Sequence, residues 1–218
     1  MVIVGIRKDI DVDFYYPAPN VKEKFTLTDA LKKGRLYKTD VPQSPGTKYP
    51  KRKKEILDLV PPGGYWRDLP LEIQKEYMQK SFFLGGGKTG MARRISWDEP
   101  SLTLTCSPAQ KQTERCHPDE TRPFTVREYA RIQTFPDEWK FAGPITAQYK
   151  QIGNAVPVNL GKAIGESIFN FLEKLDEVNA LQNLFDVLPG VISEIGPINS
   201  LEKDKLGLLF KMAYGQPG

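Results

Sequence analysis

The chain has 218 residues, of which 39% are hydrophobic and 27% charged, an ordinary soluble composition with room for one large domain or two small ones. Lys and Arg number 31 against 27 Asp and Glu, so the net charge is only +4, a mild pull toward a polyanion. Two cysteines and one histidine exclude a disulfide framework and a structural zinc site. With no signal-peptide core and no run of ~20 apolar residues, the expectation is a cytoplasmic protein in a reducing compartment, with neither membrane nor metal among its partners.

Val2-Ile-Val-Gly-Ile6 is a short β-branched apolar run and reads as a buried strand. Such a strand normally has neighbours on both sides, so its partners are expected on another chain. Between Asn20 and Val60 stand 11 Lys/Arg against 5 Asp/Glu, including the run Lys51-Arg52-Lys53-Lys54. A solvated basic face and a phosphate-contacting one both fit. Asp29 to Gly34 reads as one or two helical turns, Lys53 to Val60 as a short helix stopped by Pro61-Pro62-Gly63-Gly64, and Leu71 to Lys80 as another. Ile95 to Cys106 reads as strand and turn. Thr125-Val-Arg-Glu128 is a capping box, which predicts a helix from Val126 to about Gln133, ending before Phe135-Pro136. Val156, Leu160, Ile164, Ile168, Phe171, Leu172 and Leu175 recur at helical spacing, one apolar stripe on a helix of about five turns. Residues 176–218 read as two or three short amphipathic pieces split by Pro189-Gly190 and Gly196-Pro197, a packed cap or a docking element.

Gly85-Gly-Gly87-Lys88-Thr89 lacks the glycine that a P-loop needs at the position of Phe82 and is a glycine-rich turn. Cys116-His117 has no orienting partner in sequence for a thiolate–imidazole pair. The stretch Met91 to His117 differs in kind. Arg93, Arg94 and Arg115 suit guanine O6 and N7, Gln110 and Gln112 suit adenine, and Thr103 and Lys111 suit phosphates. A base-reading surface and a plain polar loop both remain open on composition alone.

Arg122-Pro-Phe-Thr125-Val-Arg127-Glu128-Tyr-Ala130-Arg131-Ile-Gln133-Thr-Phe135-Pro136-Asp137 and then Gln151-Ile-Gly153-Asn154-Ala155-Val156-Pro157 closely resemble the last two shared motifs of the DNA (cytosine-5) methyltransferase family. Both occur in the family's order, with a long helix to follow. Ser101-Leu-Thr103-Leu104-Thr105 is similar to the Thr-Leu element of the family's recognition regions, and Val2 to Arg7 to the strand that closes its catalytic sheet. The Pro-Cys nucleophile and the Glu-Asn-Val motif are not in this sequence. Phe83 to Gly87 matches a donor-loop pattern loosely, but in the wrong place for the family's order.

The resemblance implies an α+β architecture: a small target-recognition domain of short strands and loops, plus C-terminal helices that pack on an α/β methyltransferase domain outside this sequence. Its divisions are residues 1–10 (the last strand of that sheet), 11–121 (recognition), 122–175 (motif helix, cofactor-closing loop and long helix) and 176–218 (extension). The family transfers a methyl group from S-adenosylmethionine to cytosine C5 of a flipped base; a cysteine thiolate attacks C6 and a glutamate assists near N3. By resemblance this chain holds no catalytic residue and is inactive alone. It reads double-stranded DNA, as in restriction-modification, and is completed by an N-terminal catalytic chain. Gly153, Asn154 and Ala155 close over S-adenosylmethionine, and Arg122, Thr125, Arg127, Glu128, Arg131 and Gln133 form the structural motif, with Arg127 and Glu128 as buried ion-pair organisers. A stand-alone DNA-binding module and an inactive truncated remnant are the alternatives. The stripe after Pro157 is expected to lie exposed on this chain alone.

Overall fold

A computed structural model describes residues 2–19 and 24–195, with side chains to residue 180. It divides into two compact units, residues 17–164 and residues 1–16 with 165–218. Six α-helices are present among the described residues: α1 (Leu27–Leu31), α2 (Lys51–Asp58), α3 (Leu71–Met78), α4 (Val126–Ile132), α5 (Ile145–Asn154) and α6 (Val158–Ile195).

In the larger unit the helices start where the sequence supplies caps. Thr26 and Asp29 box the start of α1. At α4 the Thr125 amide donates to Glu128 Oε2 (2.7 Å), and Thr125 Oγ1 accepts from the Glu128 amide (3.4 Å), two otherwise orphaned donors satisfied reciprocally. Pro50, Pro70 and Pro144 precede α2, α3 and α5, where the absent N–H costs nothing. Pro61 and Pro62 follow the end of α2, as expected from the sequence. Two apolar cores result. One joins α1, α4 and α5 through Leu27, Leu31, Tyr129, Phe124, Tyr149 and Ile152, with the Tyr129 and Tyr149 rings edge to face at 5.3 Å. The other gathers Leu57, Trp66, Tyr77, Met78, Met91 and Cys116 around α2 and α3.

The expected α+β arrangement is not observed. The fold is helical, and among the described residues the only pairings of extended chain are the isolated bridges Arg94–Cys116 and Cys116–Pro123. Ile95 donates to the Cys116 carbonyl (3.0 Å) and Cys116 to that of Arg93 (3.0 Å), but the neighbouring Arg94 amide turns to Gly64 (3.1 Å) and the Arg115 amide to Pro108 (3.0 Å). Pro100, Pro108, Pro118 and Pro123 lack the donors that would extend a ladder. Val2 and Ile3 form no strand and are 40% and 78% exposed; a β-branched run without a neighbouring strand has nothing to pair with.

In the smaller unit the N-terminal segment lies against its part of α6. Phe14 meets Phe171 at 5.9 Å and Tyr16 at 5.3 Å, and the Lys174 ammonium stands 5.3 Å from the Tyr15 ring. The long helix runs on through 176–195, Pro189-Gly190 included, where short separate pieces were expected; Gly196-Pro197 and the remaining tail lie outside the described residues. On α6 and its approach the stripe residues Val156, Leu160, Ile168 and Leu172 are exposed, while Ile164, Phe171 and Leu175 are half-buried.

Candidate nucleic-acid interface

The site is built in the larger unit on the segment from Gly90 to His117. It begins with the three arginines, which do not share one role. Arg94 is buried and its guanidinium is filled by protein: Leu57 O (2.7 Å), Thr121 Oγ1 (2.6 Å), Pro118 O (3.1 Å) and His117 O (3.2 Å). Arg115 is buried as well, bonding Thr103 O (2.6 Å) and Glu114 O (2.6 Å), and desolvation holds its pKa below the ordinary value. Arg93 reaches Gly63 O (2.7 Å) and Glu99 (2.8 Å), with part of its side chain at the surface. In this structure these guanidiniums hold loops together, their hydrogen bonds directed at carbonyls, a hydroxyl and one carboxylate.

Gln110 to Thr113 presents outward instead. Lys111 to Thr113 form one 3-10 turn. Gln110 and Gln112 are exposed, and the Lys111 ammonium stands 5.1 Å from the Tyr77 ring. Thr103 is exposed, with its carbonyl taken by Arg115. Beneath the turn lies a charged group that no pattern of residues announced. Glu114 is fully buried; its Oε2 accepts from the Tyr77 hydroxyl (2.7 Å) and its Oε1 is 2.9 Å from Lys53 Nζ. Burial pushes the Glu114 carboxyl up, and the Lys53 ammonium and Tyr77 hydroxyl draw it part of the way back. The basic run on α2 is largely committed to protein. Arg52 pairs with Glu76 (2.6 Å) and Glu55 (3.1 Å), and Lys54 with Asp58 (3.1 Å).

The two family-like motifs frame this segment. Arg122 clasps Glu128 through two bonds (2.7 and 2.9 Å) and adds Glu120. Burial opposes the Glu128 charge, but the Arg122 guanidinium and the Thr125 amide outweigh it, so the carboxyl ends below its ordinary value. The partner of Glu128 is therefore Arg122. Arg127 is half-buried and donates to the carbonyls of Trp139 (2.9 Å) and Pro136 (3.4 Å). Arg131 is fully buried between Asp137 (2.5 and 2.8 Å) and Thr39, its guanidinium 4.2 Å from the Tyr37 ring. Gln133 donates to Ile152 O (3.1 Å) and Ala155 O (3.0 Å), which ties off the end of α5. The Gln133 carbonyl and the Thr134 hydroxyl accept from the Val158 and Asn159 amides at the start of α6 (3.1 and 3.0 Å).

Gly153 and Asn154 were expected in a loop but form the last turn of α5, with Ala155 as its half-buried C-cap. That turn touches the segment from Gly90 to His117 directly. A Cβ at Gly153 would lie 2.4 Å from Thr105 O and 2.7 Å from Cys106 N, so only glycine admits this approach. Cys106 Sγ is 3.0 Å from Asn154 Oδ1. The Tyr129 hydroxyl donates to Thr105 O (2.8 Å) and accepts from its amide (3.1 Å).

His117 is buried with Nδ1 accepting from the Asp119 and Glu120 amides (both 3.2 Å), and desolvation lowers its pKa despite Glu128 nearby. Beside it, burial pushes the Cys116 thiol up to about 11, the reverse of an activated nucleophile. A cleft of about 380 Å³ opens beside this region, lined by Lys48, Tyr49, Lys54, Arg122 and Thr125 among others. Among the described residues there is no group of three or more His, Cys, Asp or Glu that could hold a metal, and no helix long and apolar enough to cross a membrane.

Residues 1–170 match the family model described as C-5 cytosine-specific DNA methylase. The chain is 69% identical over 179 residues to the type II methyltransferase M.Eco47II of Escherichia coli, covering 81% of this chain and 43% of that protein. It is 64% identical over 173 residues to M.PspPI of a Psychrobacter species, covering 79% and 42%, and 59% identical over 177 residues to M.Sau96I of Staphylococcus aureus, covering 81% and 40%. The chain thus spans less than half the length of these curated relatives.

Proposed function

This chain belongs to the C-5 cytosine-specific DNA methylase family, and we propose that it is the DNA-reading and C-terminal part of a type II enzyme that methylates cytosine in one DNA sequence. The observation that carries the reading is the seating of the Gln110–Thr113 turn. Its amide side chains face outward, while Thr105, in the same segment, is fastened to the two family motifs through Tyr129 and Gly153. Glutamine amides suit adenine edges in the major groove, and Lys111 and Thr103 suit phosphates. Arg94 and Arg115 serve as internal braces, and Arg93 as a brace at the surface.

S-adenosylmethionine would supply the methyl group. The residues present fit one edge of it: Asn154 is exposed and among the described residues is bonded through Oδ1, and its amide nitrogen is a donor suited to a carboxylate or hydroxyl. Gly153 faces the recognition segment, so its part is to set Asn154 in place. A polypeptide with the Pro-Cys and Glu-Asn-Val motifs would complete the catalytic centre, seated in the larger unit on the exposed apolar side chains of Val156 and Leu160.

The test is methyl transfer from labelled S-adenosylmethionine to plasmid DNA, with the chain alone and mixed with the N-terminal part of the Escherichia coli relative. Incorporation only in the mixture supports the reading. Incorporation by the chain alone overturns the assignment of the nucleophile to another polypeptide. Sequence-selective DNA binding without incorporation in either case favours a non-catalytic module.

A further inference from the structure

A fully buried carboxylate paired with a lysine is an expensive way to fill a core, because desolvation offsets much of the attraction. The geometry around Lys53 gives it a use. Its Nζ donates to Ala109 O (2.7 Å) and stands 2.9 Å from Glu114 Oε1, so one ammonium grips both ends of the Ala109–Glu114 segment. The Tyr49 ring lies 5.1 Å from that ammonium, and the Tyr77 hydroxyl holds the other carboxylate oxygen (2.7 Å). The segment is also fixed from below. The Glu114 amide donates to Gly90 O (2.8 Å), and a Cβ at Gly90 would come within 2.5 Å of Gln112 O. These anchors land on the ends or the backbone of the turn, to which the Lys111 ammonium over the Tyr77 ring (5.1 Å) and the Thr113 hydroxyl on Thr105 Oγ1 (3.1 Å) are added. The outward side chains of Gln110 and Gln112 take no part.

We propose that Lys53 and Glu114 form a clamp that sets the register of the Gln110–Thr113 turn, and so are positioning residues for DNA sequence discrimination. The inference rests on the DNA-reading function proposed above. A reader must hold its amides within a fraction of an ångström of the base edges, and a single 3-10 turn whose own side-chain contacts are Lys111 on the Tyr77 ring and Thr113 on Thr105 needs its two ends fixed to do so. The clamp supplies it from a helix, α2, that presents no base-reading group itself. Loss of the clamp should therefore spare charge-driven attraction to DNA, which does not depend on register, and remove preference for sequence.

The experiment uses the full chain, the double variant Lys53→Met/Glu114→Gln, and the milder Tyr77→Phe, which removes the hydroxyl that bonds Glu114 and keeps the ring. Each is taken through selection from a duplex library with a fully randomised core, then measured against the enriched duplex and a scrambled one, with amide exchange followed by mass spectrometry. For the double variant, the ratio of enriched to scrambled affinity should fall about tenfold or more, the share carried by one base contact. Amides of residues 110–114 should exchange at least about tenfold faster while those of α4 and α5 hold. Tyr77→Phe should move both readouts the same way by a smaller factor, so a double variant that fails to fold does not end the test. Scrambled-duplex affinity and its salt dependence should stay unchanged. Enrichment of one sequence equally by all three chains overturns the clamp alone, as does a loosened turn with undiminished preference. Enrichment of nothing by the unaltered chain overturns the DNA-reading assignment, and the clamp's role with it.

Discussion

Replacing Gly153 by alanine sets two effects of known sign against each other. Alanine in a helix gains at most about 1 kcal/mol over glycine. The new Cβ would sit 2.4 Å from Thr105 O, 2.5 Å from Thr105 C and 2.7 Å from Cys106 N. All three are backbone atoms held by Tyr129 through two hydrogen bonds, so neither side yields cheaply, and overpacking of this kind costs about 3 kcal/mol, the upper part of its usual range. The net loss is about 2 kcal/mol, a fall in Tm of roughly 4–8 °C for a chain of this size, measured by far-ultraviolet circular dichroism. Gly161→Ala is the internal control. Gly161 is on α6 with nothing within 4 Å of the added methyl, so the same substitution should raise Tm by a degree or more through propensity alone. A Gly153→Ala protein as stable as the parent would refute the close approach of α5 to Thr105 and Cys106.

Two further outcomes separate brace from reader and acid from base. Arg94→Ala leaves three buried carbonyls and the half-buried Thr121 hydroxyl without their donor and should cost about 3 kcal/mol or more in urea unfolding, whereas Gln112→Ala should leave stability within about 0.5 kcal/mol and weaken only sequence preference; the reverse pattern would return Arg94 to the base-reading set. His117 titrates below its ordinary value of 6.5 because burial disfavours the cation. Its neutral form stabilises the fold fully above pH 6.5, and that contribution is lost as pH falls through 6.5 toward the lowered folded value. Tm should therefore begin to drop as pH falls below 6.5, and His117→Asn should flatten that part of the curve.

What could be read from the sequence was what is written within a few residues. The Thr125–Glu128 box fixed the start of α4 because both partners stand on one turn, and the Pro61-Pro62 stop and the apolar stripe after Pro157 were local in the same sense. Helix α5 was missed because Ile145, Tyr149 and Ile152 are its chief apolar signal and Gly153 reads as a loop residue. The strands foreseen at Val2–Ile6 and Ile95–Cys106 failed because β-branched side chains do not supply a neighbour, and the prolines between residues 100 and 123 remove donors. Arginine composition could not say which guanidiniums turn inward, as Arg94 and Arg115 do. Lys53 and Glu114 lie too far apart in sequence for any pattern to join them.

The crowding of α5 onto Thr105 and Cys106 also bounds what a protein engineer can exchange. Upstream of Cys106 the segment is moulded to Tyr129 and Gly153, and from Glu114 onward it is moulded to Gly90, Lys53 and Arg93. Between those points Pro108 is fully buried and Ala109 packs on the second core with its carbonyl on Lys53, while the side chains of Gln110 and Gln112 face outward. A graft meant to retarget specificity should swap the short insert from Gln110 to Gln112 and keep both hinges, since moving the upstream boundary to Ala109 or Pro108 would carry the mismatch straight into the core around α2.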